Sequence, residues 1–234
     1  MNLNPNEICF IICTNNEENY TECTEYLNRL AVPEGMSMDI IKITDADSIC
    51  SAYNAAMKDS NAKYKVYLHH DLLIINQNFI SDLIACFDRN PKAGIVGIIG
   101  RKFLPDTLYM FGGDQYGAAY ENQVDKSISY YLYSQEGCDE KVMHLDGMLL
   151  ATCVDLPWRE DVFDGFDFYD TSQSLEMIRA GYEVVVPYSK IPWVIHACGY
   201  LSLKNYPAQR EKFVKEYTDF PLIPVTVSIT TERH

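Results

Sequence analysis

The sequence predicts an α/β fold in which a mostly parallel central sheet carries helices on both faces. Two observations predict it. Over the first hundred residues, short apolar runs rich in β-branched side chains alternate with stretches whose apolar residues recur at helical spacing. The connections between them are short, which is the pattern of strands linked by crossover helices. At 234 residues and 47% hydrophobic, the chain can bury one good core or two small ones.

Taken in order, residues 8–13 (ICFIIC) read as a strand, and 19–31 place Tyr20, Cys23, Tyr26, Leu27 and Leu30 at helical spacing. Residues 38–43 (MDIIKI) form a second strand, and a helix follows with Ser48 as its N-cap. Residues 64–68 are a strand, 78–90 a helix, and 93–100 (AGIVGIIG) a strand ending in glycine. From Gly112 to Glu140 the chain is rich in Gly, Tyr, Gln and Ser without helical period, and predicts hairpins and loops. A strand at 146–154, a helix over TSQSLEMIRAG with Gly181 as C-cap, and strands at 182–187 and 193–199 follow. A last helix runs from about Pro207 to Tyr217, and an extended tail closes the chain. The expected organisation is one domain over 1–234, with halves at 1–111 and 112–200 and a helix and tail over 201–234.

Composition excludes several classes. A net charge of −14 and the lack of clustered Lys and Arg argue against nucleic acid as a partner. Eight cysteines contain no CxxC pair, so they read as small core residues in a reducing compartment. No apolar run reaches the ~18 residues of a membrane span, and the N-terminus carries no basic and apolar signal. The expected address is the cytoplasm, including the periphery of the inner membrane face.

In an open sheet of this kind, ligands bind beyond the carboxyl ends of the strands. Thr14 and Asn16, Asp45, and His69, His70 and Asp71 all fall at such ends, so they are expected to share one site. On an extended chain His69 and Asp71 face the same side and His70 the other. Oxygen ligands with an imidazole suit magnesium or manganese, ions that hold diphosphates.

Six segments in order resemble the family 2 inverting glycosyltransferases of GT-A type: CTNNEEN (13–19), IKITDAD (41–47), SAYNAAM (51–57), YLHHDLLI (67–74), LDGMLLAT (145–152) and the run from Phe163 to Pro187, with VIHACG (194–199) beyond. The resemblance implies a GT-A fold whose first half binds a nucleotide-sugar and whose second half meets the acceptor. It implies donor contacts from Thr14, Asn16, Asp45, Asn54, His70 and Asp146, and a Mn²⁺ or Mg²⁺ ion on Asp71, His69 and His196. Asp170, eleven residues before Gly181, falls where the family has its catalytic base, at a helix start expected to keep the carboxylate ionised; Asp146 and Asp167 are its neighbouring contenders. Two positions depart from the pattern: His69 replaces the first aspartate of the family's DxD, and Tyr53 replaces an arginine, with Lys58, Lys204 and Arg210 as possible substitutes. The implied reaction moves a sugar, most simply from a UDP-sugar, to the hydroxyl of a glycan, lipid-linked or protein acceptor. A catalytically silent nucleotide-sugar-binding domain and a zinc hydrolase are the alternatives. Tyr109, Tyr116, Tyr120, Tyr130, Tyr131 and Tyr133, with Trp158, could line a sugar-stacking wall.

Overall fold

The structure, a computed structural model, describes residues 3–108, 115–122, 128–133, 136–197 and 203–224, with the backbone alone at 122 and 128–133. The alternation opens as expected, with β1 (Asn4–Cys13), α1 (Glu17–Leu27), β2 (Ser37–Ile43), α2 (Ile49–Asp59) and β3 (Ala62–His69). Ser48 caps α2 by accepting from the Ser51 N–H, and the Asn16 side chain caps α1 by accepting from Glu18 and Asn19. β4 (Leu72–Ile74), α3 (Phe79–Arg89) and β5 (Ala93–Gly97) follow. Then come β6 (Ile99–Arg101), β7 (Leu104–Pro105), β8 (Tyr116–Asn122), β9 (Ile128–Tyr133), β10 (Glu140–Val142), β11 (His144–Leu145) and β12 (Leu149–Thr152). The chain continues through α4 (Tyr169–Arg179), β13 (Glu183–Val186), β14 (Val194–His196), α5 (Tyr206–Glu216) and β15 (Leu222–Ile223).

The main sheet has the order β10-β13-β5-β12-β3-β1-β2. β2, β1, β3, β5 and β13 share one direction, whereas β12 runs antiparallel between β3 and β5, and β10 antiparallel to β13. Its two faces are read off β1 by the two-residue period of a strand. Ile8, Phe10 and Ile12 pack with Leu27 of α1 and Phe79 and Leu83 of α3. Cys9 and Ile11 belong to the opposite core, with Tyr53 of α2, Leu175 of α4 and Phe213 of α5. Helices therefore cover both faces, and each fully buried apolar side chain contributes roughly 1.5–3 kcal/mol.

A second sheet, β11-β6-β8-β14-β4 with β9 on β8, was not legible as a sheet in the sequence beyond its hairpin. It matters to the site because β14 pairs antiparallel with β4 in a register that sets His196 opposite Leu72, next to Asp71. α4 begins at Tyr169, earlier than its TSQSLEM core suggested, directly after Phe168 in a left-handed conformation (φ 63). All seven cysteines among the described residues are free; Cys9, Cys23, Cys50 and Cys86 are buried, whereas Cys138 is exposed. Among the described residues no helix is long and apolar enough to cross a membrane.

Candidate active site and metal centre

A cleft of about 800 Å³ opens at the carboxyl ends of β1, β2 and β3. The turn after β1 gives it Thr14 and Asn15, the start of α1 gives Glu17, the turn after β2 gives Asp45, and the end of β3 gives His69, His70 and Asp71. Phe166 and Tyr169, from the approach to α4, form the other wall. Thr14 is held by its own turn: its hydroxyl donates to the Asn16 carbonyl at 3.0 Å and accepts from the Asn16 N–H at 3.1 Å. Asp45 adopts a left-handed backbone (φ 55), which Asp tolerates better than most residues.

Two of the expected donor contacts are drawn elsewhere. Asn54 is buried, donating to the Trp158 carbonyl and accepting from the Trp158 N–H, both at 2.8 Å, so its amide ties α2 to a distant loop. Asn16 spends its side chain on the cap of α1 and does not line the cleft. His70 does line it, with a buried Nδ1 that has no partner among the described residues.

His69, Asp71 and His196 converge, each offering one ligand atom within 4.8 Å of the others. His69 Nδ1 stands 3.9 Å and His196 Nε2 3.5 Å from Asp71 Oδ1. Burial lowers the His69 pKa, and the neighbouring His196 adds to this, so the imidazole favours its neutral form. Burial alone would raise the pKa of Asp71, but the hydrogen bond and charge of His196, with His69 and His70, bring it below the usual value. A neutral His69 beside an ionised Asp71 is the pair of protonation states in which these two residues ligate a metal. The fit to a divalent ion is therefore good on donor chemistry.

Asp170 and Asp146 form a second cluster. Ser174 Oγ ties α4 to β11 beside them, donating to the Asp170 main-chain carbonyl at 2.8 Å and accepting from the Leu145 N–H at 3.2 Å. Burial and the Asp146 charge push the Asp170 pKa up to about 7, against the backbone N–H groups of Thr171 and Gly147. The helix start does not keep this carboxylate fully ionised at neutral pH; desolvation and a like charge outweigh it. Asp167 is also raised, by burial alone.

Sequence reasoning missed Tyr169 and Gly147. The Tyr169 hydroxyl lies 2.7 Å from His69 Nε2 and donates to the Gly147 carbonyl at 3.1 Å. A Cβ at Gly147 would sit 2.6 Å from the Tyr169 Cζ, so only glycine admits the ring. The signal available was the Tyr-Asp pair itself, a bulky aromatic beside the expected base. Of the anticipated aromatic wall, Trp158 is instead buried among Tyr53, Tyr67 and Tyr169. Tyr116 and Tyr120 lie on β8, while Tyr109 and the side chains of Tyr130, Tyr131 and Tyr133 fall outside the described residues. Neither Lys58, Lys204 nor Arg210 lines the cleft.

The profile of the "Glycosyltransferase like family" matches residues 9–217. The chain belongs to that family. This glycosyltransferase-like chain is similar in structure to the mannosyltransferase PcManGT from Pyrobaculum calidifontis, solved with GDP-Man and Mn²⁺ (TM-score 0.58, 13% identity, covering 92% of this chain and 65% of that one). It is also similar to S. aureus TarS 1-349 solved with UDP-GlcNAc (TM-score 0.53, 12% identity, 93% and 68%) and with UDP (TM-score 0.51, 12% identity, 93% and 67%). The chain thus spans about two thirds of those solved chains, and 40% of the longer TarS. At such identities the likeness bears on the fold, and the fold is that of the GT-A glycosyltransferases. No curated protein matches in sequence.

Proposed function

We propose that the chain is an inverting glycosyltransferase that binds a nucleotide-diphospho-sugar, with UDP-sugars first in order, in the cleft above β1, β2 and β3. The observation that carries the reading is the meeting of His69, Asp71 and His196 at the carboxyl ends of the sheet, in a chain of this family. Thr14 and Asp45 would meet the nucleoside, and exposed Phe166 offers an apolar face to it from the opposite wall. His70 would meet the diphosphate and Asp146 the sugar.

The described cleft-lining residues include Glu17, Asp45 and Asp71 but no Lys or Arg. A diphosphate there needs a counter-charge, which a divalent ion on His69, Asp71 and His196 would supply to the leaving group. Two imidazole nitrogens and one carboxylate suit manganese better than magnesium, which prefers an all-oxygen shell. Asp170 is the base: it takes the proton of the acceptor hydroxyl as that oxygen bonds to the anomeric carbon and the bond to the diphosphate oxygen breaks. A single displacement of this kind inverts the anomeric centre. A pKa near 7 serves a base that works at neutral pH.

The test is release of nucleoside diphosphate from a panel of UDP-, GDP- and TDP-sugars, with CMP release from a CMP-sugar as the contrast, each with and without Mn²⁺, and NMR of the product's anomeric configuration. Turnover that needs Mn²⁺ and gives the inverted anomer is expected. Absence of both turnover and metal-enhanced donor binding would overturn the reading. Two histidines with a carboxylate also form a zinc-competent set. Stoichiometric zinc after purification, together with hydrolysis lacking transfer, would favour the hydrolase instead.

A further inference from the structure

We propose that Tyr169 is a positioning residue that fixes His69 in its Nε2–H tautomer and so aims the bare Nδ1 at Asp71 and His196. The inference rests on the metal reading above for its purpose, though not for its geometry. Tyr169 is 6% exposed, at the first position of α4, with its ring against Tyr53 (centroids 5.9 Å, 77°) and Trp158 (6.2 Å). Gly147 gives the ring no side chain to displace. The hydroxyl therefore has one place to be.

That hydroxyl has a single proton and two neighbours, His69 Nε2 at 2.7 Å and the Gly147 carbonyl at 3.1 Å. The carbonyl only accepts. If Tyr169 donates to Gly147, its oxygen must receive a proton from His69, so Nε2 carries the hydrogen and both contacts are satisfied. If Tyr169 donated to His69 instead, two oxygens would face each other at 3.1 Å with no hydrogen between them. The Nδ1–H of that tautomer would then point at Asp71 Oδ1 across 3.9 Å, beyond hydrogen-bond reach. The first arrangement satisfies both contacts of the hydroxyl and leaves the Nδ1 lone pair facing the carboxylate and the His196 ring, whose centroid is 5.6 Å away, where a cation would be needed to complete it. A hydrogen bond on one imidazole nitrogen commonly sets which nitrogen ligates a metal. The same side chain sits one residue before Asp170, so the tautomer lock and the candidate base share one turn of helix.

The decisive measurement is two-dimensional ¹H–¹⁵N NMR of the metal-free protein, labelled at its five histidines, with the His69 signals assigned by their loss in His69→Gln. The expected pattern is a protonated Nε2 and a bare Nδ1. A protonated Nδ1 overturns the proposal without recourse to any Tyr169 variant. In Tyr169→Phe, which keeps the ring, the pattern should mix or reverse, and Mn²⁺ affinity by electron paramagnetic resonance should weaken about 10- to 100-fold. An unchanged tautomer and unchanged Mn²⁺ affinity in that variant also overturn it. A wild-type Nε2–H tautomer that is lost in Tyr169→Phe, in a protein that binds no Mn²⁺, supports the clasp and overturns the metal reading.

Discussion

At Asp170, burial and Asp146 favour the acid, while a helix start and the backbone N–H groups of Thr171, Asp170 and Gly147 favour the carboxylate, and the acid gains until about pH 7. Counting back from Gly181 placed Asp170 at a helix start, and it lies in the first turn of α4, because helix length and a glycine stop are sequence-local; its role as base came from the family resemblance. Its pKa was not legible, since Asp146 arrives through a fold contact made by β11 and Ser174. Two outcomes follow. If Asp170 is the base, kcat/KM should fall as pH drops below about 7, and Asp170→Asn should cut turnover roughly 10²- to 10⁴-fold with donor affinity nearly intact. Turnover above about a tenth of wild type would transfer the role to Asp146 or Asp167. The linkage has a definite sign as well. A carboxyl whose pKa rises from 3.8 in the unfolded chain to about 7 in the fold binds its proton more tightly when native, so stability falls as pH rises between those values. Asp170→Asn should therefore melt higher than wild type at pH 8 and show no such gain at pH 4, by thermal unfolding in both buffers.

Among the elements, the loop from Phe163 to Phe168 decides how the cleft is walled. Phe163 and Phe168 are buried against Phe213 of α5, with centroids at 6.5 and 5.1 Å, and the Gly165 carbonyl accepts from the Ile49 N–H at the start of α2. Pinned at these points, the loop leaves Phe166 54% exposed at the cleft. Phe213→Ala should cost about 3–5 kcal/mol by denaturant unfolding, as truncation of a buried aromatic does. Phe166→Ala should leave stability within about 0.5 kcal/mol of wild type and raise the KM for donor. An unchanged KM would remove Phe166 from the binding wall. The elements themselves were largely legible: alternating Ile8, Phe10 and Ile12 in β1 and the Ser48 cap of α2 are local signals that the fold keeps. Direction was not, because LLAT reads the same whether β12 runs with β3 or against it. The pairing of β14 with β4 was equally invisible, since it joins residues more than a hundred positions apart. His196 was reached by resemblance rather than by pattern.

For the whole molecule, charge sets the terms on which an anionic donor can enter. The chain carries −14 overall, and the described cleft wall adds Glu17, Asp45 and Asp71 without a Lys or Arg. Glu17 and Lys42 pair at 2.6 Å and largely cancel, so the acidity of the wall rests on Asp45 and Asp71. A bare nucleoside diphosphate approaching this surface meets like charge, and mobile salt should screen the repulsion, since the Debye length shrinks to about 10 Å at 0.1 M. Metal-free UDP should consequently bind weakly, and its affinity should rise as sodium chloride increases from about 20 to about 200 mM across that screening range. With saturating Mn²⁺ the complex should be tighter and less sensitive to salt, because most of the diphosphate charge is then met locally. Asp71→Ala should abolish the Mn²⁺ gain while keeping the metal-free trend, which separates loss of the ion from loss of the fold. Isothermal titration across the salt series reads all three. A metal-free affinity that falls with salt would mean that a cation already faces the diphosphate, and the case for an obligatory ion on His69, Asp71 and His196 would fail with it.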